Sequence, residues 1–227
     1  MKKKYYLRIF AILILGPLLA GCGSPGSDYS APCEEKQVLF CEDFEGISPD
    51  LGESQLVSST AFDQWWGTAD DDQEYLFLDF PVSGRSRTNM ILLGDGYYKS
   101  QSSSFLYTVE IDLSTSTRAD LQYNLIYRTE KHWDGLVVFA VKGGIEGAGS
   151  ENNWMMLTPR GGYPDTILFN GTIIPGYSGT YPYWIHETID LDPVLGGKFV
   201  VGFYFVADDV LEDWGIGLDD IVIQADS

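Results

Sequence analysis

From residue 38 to the C terminus, short apolar segments alternate with turns rich in Gly, Pro, Asp and Ser. Apolar residues recur at every second position over residues 105–113 and again over 121–127, which is typical of strands with one buried face. Residues 136–141 and 199–206 are instead continuously apolar, as expected of strands buried on both faces. No segment shows a sustained helical period with caps at both ends, so the pattern predicts few and short helices.

Further strand-like segments complete the pattern, at residues 38–44, 75–80, 90–93, 154–157, 166–169, 184–189 and 217–223. About a dozen strands separated by turns, with no helices between them, predict an all-β fold. We expect one antiparallel β-sandwich of the jelly-roll type over residues 37–227.

The N-terminal 21 residues do not belong to this domain. Four basic residues within the first eight positions precede an apolar run over residues 9–20, which is shorter than the roughly 20 residues needed to cross a bilayer. This pattern predicts a secretory signal peptide. The run ends in Leu19-Ala20-Gly21-Cys22, which resembles the lipobox of bacterial lipoproteins. The resemblance implies cleavage before Cys22, a lipid anchor on that cysteine, and export to the outer membrane or cell surface.

Residues 22–36 have the composition of a flexible tether. With Cys22 lipidated, Cys33 and Cys41 remain as a pair in an oxidising compartment, which predicts a disulfide between them. A zinc site is disfavoured, because the two histidines, His132 and His186, are not at ligand spacing from the cysteines.

The chain is strongly acidic, with 33 acidic and 14 basic residues. Residues 1–21 hold four of the basic residues and none of the acidic ones, so the remainder has a formal charge of −23. Such a surface repels phosphate backbones and anionic lipids, which argues against nucleic acid as a partner.

The C-terminal third carries a recognisable order of motifs. Trp184-Ile185-His186-Glu187-Thr188-Ile189-Asp190-Leu191 is followed by the apolar strand around Phe203, then by Ala207-Asp208-Asp209 and by Gly215-Ile216-Gly217-Leu218-Asp219-Asp220-Ile221. This order resembles MAM-type jelly rolls and the related domains of immune-inhibitor-A-like secreted bacterial proteins, and Cys41-Glu42-Asp43-Phe44-Glu45 resembles their first strand. The resemblance covers residues 38–224 and implies a concanavalin/MAM-like sandwich that serves as a ligand-binding or adhesive module. The chain lacks the internal cysteines of eukaryotic MAM domains after Cys41, which puts receptor-style adhesion in doubt.

Acidic residues near both ends of the domain suggest a structural cation. Asp43 and Glu45 are two residues apart, so an extended strand would place both carboxylates on one face. Asp219 and Asp220 open the last strand, one on each face, and in jelly rolls of this type the first and last strands lie close together. Three oxygen ligands from these residues would suit Ca²⁺; the alternative is that they are solvated acids at strand ends.

Aromatic residues in Gly- and Pro-rich connections suggest a glycan surface, because exposed rings stack on the C–H faces of sugars. The segment 175–183 has little other apolar content, so its three tyrosines are the first candidates, with three tryptophans second; core packing is the competing explanation. In order, these candidates are Tyr177, Tyr181, Tyr183, Trp65, Trp66 and Trp133.

Catalysis has little support in the sequence. Zinc-protease, nucleophile-elbow and phosphate-loop motifs are lacking, and we assign no catalytic residue. The leading hypothesis is a lipid-anchored, non-catalytic module of the bacterial envelope that binds a glycan. The alternatives are a polysaccharide lyase or hydrolase on a jelly-roll scaffold, using His132 or His186, and a structural envelope lipoprotein that contacts a protein partner.

Overall fold

The computed structural model describes residues 37–44, 56–61, 66–69, 75–77, 80–82, 90–93 and 97–226, with side chains given for 37–44 and, Ile145 apart, for 97–226. The predicted signal peptide (1–21), the tether (22–36) and the candidates Cys22, Cys33, Glu45 and Trp65 lie outside these residues. Within the described part of the chain, no helix has the length and hydropathy to cross a membrane.

Sixteen strands account for most of the described residues. They are β1 (Val38–Glu42), β2 (Leu56–Ala61), β3 (Trp66–Ala69), β4 (Tyr75–Phe77), β5 (Phe80–Val82), β6 (Met90–Leu93), β7 (Ser103–Thr108), β8 (Ile111–Asp112), β9 (Arg118–Arg128), β10 (Gly135–Lys142), β11 (Trp154–Met156), β12 (Asp165–Phe169), β13 (Thr172–Gly176), β14 (Thr180–Asp190), β15 (Lys198–Val206) and β16 (Gly215–Asp226). Three short 3-10 helices lie at Ile145–Gly149, Glu151–Asn153 and Asp192–Val194.

The strands form two six-stranded sheets in which each pairing is antiparallel. The first sheet has the order β14-β9-β16-β6-β3, with β1 also paired to β16; the second has the order β11-β10-β15-β7-β2, with β8 also paired to β15. Two further hairpins, β4–β5 and β12–β13, lie apart from these sheets. The predicted class, an antiparallel β-sandwich of jelly-roll type, is confirmed.

The core lies between the two sheets. On β9, Leu121, Tyr123 and Leu125 are fully buried and belong to the main hydrophobic cluster. The Tyr123 ring meets Phe203 of β15 edge to face at 5.0 Å between centroids, which joins the two sheets. The alternation read from residues 121–127 therefore marks the inner face of a central strand.

The first and last strands of the domain lie side by side, as expected. Phe40 pairs with Ile223 and Glu42 pairs with Ile221. The acidic residues just after β1 and within β16 are thereby brought to the same part of the first sheet.

The β12–β13 hairpin closes through a two-residue turn, Asn170-Gly171, between the paired residues Phe169 and Thr172. Both turn residues have positive φ, 49° and 76°, as a type I′ turn requires. The hairpin covers part of the outer face of the second sheet, where its Ile167 packs with Val137 and Phe139 of β10. This cover explains why the continuously apolar β10 is buried on both faces.

The turn generates a stability prediction. Gly171→Ala should destabilise the domain by about 1 kcal/mol, because alanine is strained in the left-handed conformation. Gly161→Ala is the matched control, since Gly161 has ordinary φ and open space around its Cα. Urea unfolding of both variants measures the difference; equal midpoints would contradict the assigned turn.

Candidate functional site

A groove of about 450 Å³ crosses the outer face of the second sheet, beside the β12–β13 hairpin. Strands β10, β11 and β15 supply Phe139, Trp154 and Tyr204, and the hairpin supplies Phe169. We call this feature the aromatic groove. Its lining residues are Phe139, Ala148, Glu151, Trp154, Phe169, Asn170, Thr172, Ile174 and Tyr204.

The rings of the aromatic groove support one another. Phe139 meets Trp154 edge to face at 5.4 Å and 80°, and Phe169 meets Tyr204 at 5.3 Å and 74°. Trp154 and Tyr204 are 6.2 Å apart at 82°. Edge-to-face pairs of this kind are favourable and directional, so the rings are held in fixed orientations.

Trp154 is fixed further by its indole nitrogen, which donates a hydrogen bond to the carbonyl oxygen of Ala148 at 2.9 Å. An indole has one donor, so the rest of the ring can offer a ligand only apolar surface. The aromatic groove thus has a rigid apolar floor.

The rim of the aromatic groove is polar. Glu151 contributes a carboxylate, Asn170 an amide and Thr172 a hydroxyl, and each of these three residues is exposed. An apolar, aromatic pocket with a few polar groups at its edge is the usual composition of a small-molecule site. It suits a ligand with an apolar face and several hydroxyl groups.

A second depression of about 240 Å³ also has Trp154 in its lining. Lys142, Asn153 and Met155 line it as well.

Tyr177, the first residue of the predicted tyrosine surface, is not available to a ligand. It is fully buried, and its hydroxyl lies 2.8 Å from that of Tyr123 in the core. The segment 175–183 is not an open loop, because Tyr177 and Leu136 exchange both backbone hydrogen bonds, at 2.9 and 3.0 Å. That part of the sequence prediction is wrong: the bridge turns the ring inward.

Tyr181 and Tyr183 lie at the start of β14 and are exposed, 42% and 73%. Their rings meet edge to face at 6.4 Å between centroids. Trp133 is 47% exposed and lies in a separate turn. Trp66 begins β3, and its side chain, like all of Trp65, lies outside the described residues.

Sequence reasoning missed the aromatic groove. Phe139 and Tyr204 lie in the continuously apolar strands, at positions that alternate with the core residues, so they face outward. The Asn170-Gly171 pair, a strong hairpin signal, would have predicted that a second strand follows Phe169.

The predicted cation ligands near β1 depart from the expected geometry. β1 ends at Glu42, and Phe44 has a φ of 56°, so the extended alternation that would place Asp43 and Glu45 on one face stops before them. The Glu42 carboxylate instead accepts the Phe44 N–H at 3.0 Å.

Asp219 and Asp220 do not point to opposite faces either. A bulge follows Asp219, and Asp220 has a φ of 50°. The Asp220 carboxylate accepts a hydrogen bond from the side chain of Asn124 at 2.7 Å, and Asn124 is the cross-strand partner of Asp219. Both aspartates are buried, 0% and 5% exposed, and both lie on the outer face of the first sheet.

A different acidic cluster lies at one end of the sandwich. Ligand oxygens of Glu130, Asp134 and Asp208 all lie within 4.8 Å of one another. Asp134 is fully buried and accepts hydrogen bonds from the Tyr98 hydroxyl and the Asp208 N–H, both at 2.7 Å. Burial nevertheless raises the pKa of Asp134 to about 6. Burial and the charge of Asp208 also raise the pKa of Glu130.

The two histidines contact polar side chains at separate places in the fold. His132 Nδ1 is 2.6 Å from the Asp165 carboxylate at an exposed turn. His186 Nδ1 is 3.2 Å from the side-chain oxygen of Asn124. Cys41 lies on β1 and Cys33 is outside the described residues, so the disulfide between them stays a prediction.

The fold is similar to that of several solved structures. The K2 cleaved adhesin domain of Lys-gingipain matches with a TM-score of 0.50 and 14% identity, over 82% of this chain and 98% of that one. The K1 cleaved adhesin domain of Lys-gingipain from Porphyromonas gingivalis W83 gives 0.49 and 17%, over 83% and 98%. The CBM22-1 xylan-binding domain of Paenibacillus barcinonensis Xyn10C gives 0.45 and 7%, over 83% and 94%. At these identities the likeness concerns the fold alone.

No protein-family model matches the chain, and no curated protein matches it in sequence. The resemblance to MAM-type and immune-inhibitor-A-like domains therefore stays a prediction.

The acidic cluster generates a pH prediction. The pKa of Asp134 in the folded state is above the ordinary 3.8, so the folded state binds this proton more tightly than the unfolded state. The resulting stability is complete below about pH 4 and is lost as the pH rises through about 6. We expect the free energy of unfolding to fall by about 2–3 kcal/mol because of Asp134 over this range.

Urea unfolding between pH 5 and 7.5 measures this loss, because groups with lowered pKa values, such as Asp165 and Asp190, remain ionised there. Asp134→Asn should flatten most of the dependence. An unchanged slope in that variant would contradict the assignment to Asp134.

Proposed function

We propose that the domain is a non-catalytic glycan-binding or adhesive module and that the aromatic groove is its binding site. The observation that carries the proposal is the fixed group of rings around Trp154, set beside a polar rim. Sugar rings have apolar C–H faces and hydroxyl edges, and the groove offers the complementary surfaces in the same arrangement.

The size and rigidity of the groove support this proposal. Its volume of about 450 Å³ lies within the range of ligand pockets. The Trp154 and Phe139 rings are held by their neighbours before any ligand arrives, so binding costs little side-chain ordering. Each aromatic contact should contribute on the order of 1 kcal/mol.

The fold is compatible with this function without specifying it. A sandwich of this kind occurs in the K2 adhesin domain of Lys-gingipain, which supports an adhesive role by analogy. Tyr181 and Tyr183 form a smaller exposed aromatic surface on β14, which is the specific observation favouring a second candidate, contact with an envelope protein.

The glycan proposal predicts which variants lose binding. On a panel of polysaccharides, Trp154→Ala should weaken binding about tenfold or more, because the ring forms part of the aromatic floor of the groove. Asn170→Gly should weaken binding severalfold while keeping the turn, because glycine tolerates the φ of 49° and removes only the amide.

Affinity electrophoresis measures these losses, with Tyr183→Ala as the control that should leave binding unchanged. If Tyr183→Ala abolishes glycan binding and Asn170→Gly does not affect it, the site lies on β14 instead. If no glycan on the panel binds, the partner is a protein.

We further propose that the module is anchored to the bacterial envelope through a lipid on Cys22, as the lipobox resemblance implies. Two or more acyl chains give a stable anchor, at about 0.8 kcal/mol per buried CH₂. Cys22→Ser should block lipidation and leave an unprocessed precursor, seen as a larger, unlipidated species. Unchanged processing and membrane partitioning would contradict the anchor.

A structural cation is also proposed, at the junction of β1 and β16. The proposal rests on the burial of Asp219 and Asp220 and on the pairing of β16 with β1, the strand that leads into Asp43. Oxygen ligands of this kind suit Ca²⁺. Their role would be to join the two ends of the domain. Among the described residues, the group of three carboxylates already within ligand distance of one another is instead Glu130, Asp134 and Asp208, which is the alternative site.

Ca²⁺ at 100 times its Kd should add about 2.7 kcal/mol to the stability and raise Tm by roughly 5–10 °C. Thermal melts with chelator and with Ca²⁺ measure this shift, and Asp43→Asn should abolish it. Asp208→Asn distinguishes the two acidic sites: if that variant alone loses the shift, the cation binds to Glu130, Asp134 and Asp208. Equal Tm values with and without Ca²⁺ would exclude a stabilising cation at either place.

A further inference from the structure

The charge at the aromatic groove limits the kind of glycan that it can accept. Among the described residues that line the groove, Glu151 is the one charged side chain. It is exposed, and no Lys, Arg or His of the described residues forms an ion pair with it. Its carboxylate is therefore open to a ligand.

The rest of the molecule strengthens this negative field. The chain has a formal charge of −19, and Glu146 of the preceding 3-10 helix is also exposed. Glycans that carry carboxylates or sulfates would be repelled on approach, whereas cationic ligands would be attracted.

The floor of the groove also favours a cation. The faces of tryptophan, tyrosine and phenylalanine carry partial negative charge and attract an ammonium group within about 6 Å. Trp154 and Tyr204 both line the groove together with Glu151. An ammonium group bound there can contact a carboxylate and an aromatic face at once.

We infer that the aromatic groove selects glycans that contain unacetylated amino sugars, with Glu151 as the residue that determines this preference. The inference rests on the proposed glycan function and specifies its ligand class. The sugar rings stack on the floor, and the protonated amine lies at the Glu151 side of the rim. Neutral glycans bind more weakly, and uronic-acid glycans bind least.

Three hexamers with the same β-1,4 backbone test the preference, because they differ only at carbon 2: glucosamine, N-acetylglucosamine and glucose. Titration calorimetry at pH 6 and low salt should show the glucosamine hexamer binding roughly fivefold tighter than the other two, as an exposed charge pair and an aromatic contact together allow. In 0.5 M NaCl this advantage should shrink, since screening reduces the charge contribution.

Glu151→Gln is the decisive variant. It should remove the advantage of the glucosamine hexamer, so that the ratio of the glucosamine-hexamer affinity to the glucose-hexamer affinity falls from about five to about one. Glu146→Gln is the matched control, which keeps the local net charge equal to that of Glu151→Gln and should retain most of the preference.

The outcomes separate this inference from the proposed function. If other glycans of the panel bind through Trp154 but the glucosamine hexamer binds no better than the glucose hexamer, or does not bind, the preference is wrong and the glycan module stands. If the preference persists in Glu151→Gln, the assigned residue is wrong. If no glycan binds, both proposals fail.

Discussion

The central constraint on this molecule is that β10 and β15, the central strands of the second sheet, are apolar on both of their faces. The inner face packs into the core, as any sandwich requires. The outer face carries Val137, Phe139 and Tyr204. Exposing all of this apolar surface to water would be unfavourable, so part of the face must be covered. The β12–β13 hairpin covers one side of this face, and the segment leading to Trp154 covers the other. The aromatic groove is the strip that remains between the two covers.

The groove thus arises from packing that also stabilises the fold. Rings that meet edge to face keep their positions without a ligand, and the hydrogen bond from Trp154 to Ala148 fixes the orientation of the indole. A preformed apolar floor lowers the entropy lost on binding, while the exposed rim of Glu151, Asn170 and Thr172 can discriminate among ligands. In this account the aromatic floor supplies most of the affinity, and the polar rim supplies most of the selectivity.

Much of the fold could be predicted because burial against a sheet leaves a period of two in the sequence. Residues 121–127 followed this rule, whereas β10 and β15 were predicted from their continuous apolar runs. The pairing of the first and last strands was anticipated from the family resemblance. What failed depends on backbone geometry that the period does not encode. Tyr177 is turned into the core by its bridge to Leu136, and the bulge after Asp219 with the left-handed Asp220 interrupts the alternation along β16.

The aromatic groove was missed for a related reason. Its residues come from β10, β11, β12 and β15, and an outward-facing aromatic in a buried strand looks the same in sequence as one in the core. The exposed tyrosines of β14 were easier to identify, because they lie in a segment with little other apolar content. Only the register of the strands shows which rings share the open strip.

Mapping by nuclear magnetic resonance tests the central claim most directly. The domain, labelled with nitrogen-15, is titrated with the tightest-binding glycan of the panel. We expect the largest shifts at the Trp154 indole N–H and at the backbone amides of Ala148, Glu151, Asn170 and Thr172. Shifts confined to Trp133, Tyr181 and Tyr183, with the groove signals unmoved, would contradict the assignment of the binding site to the second sheet.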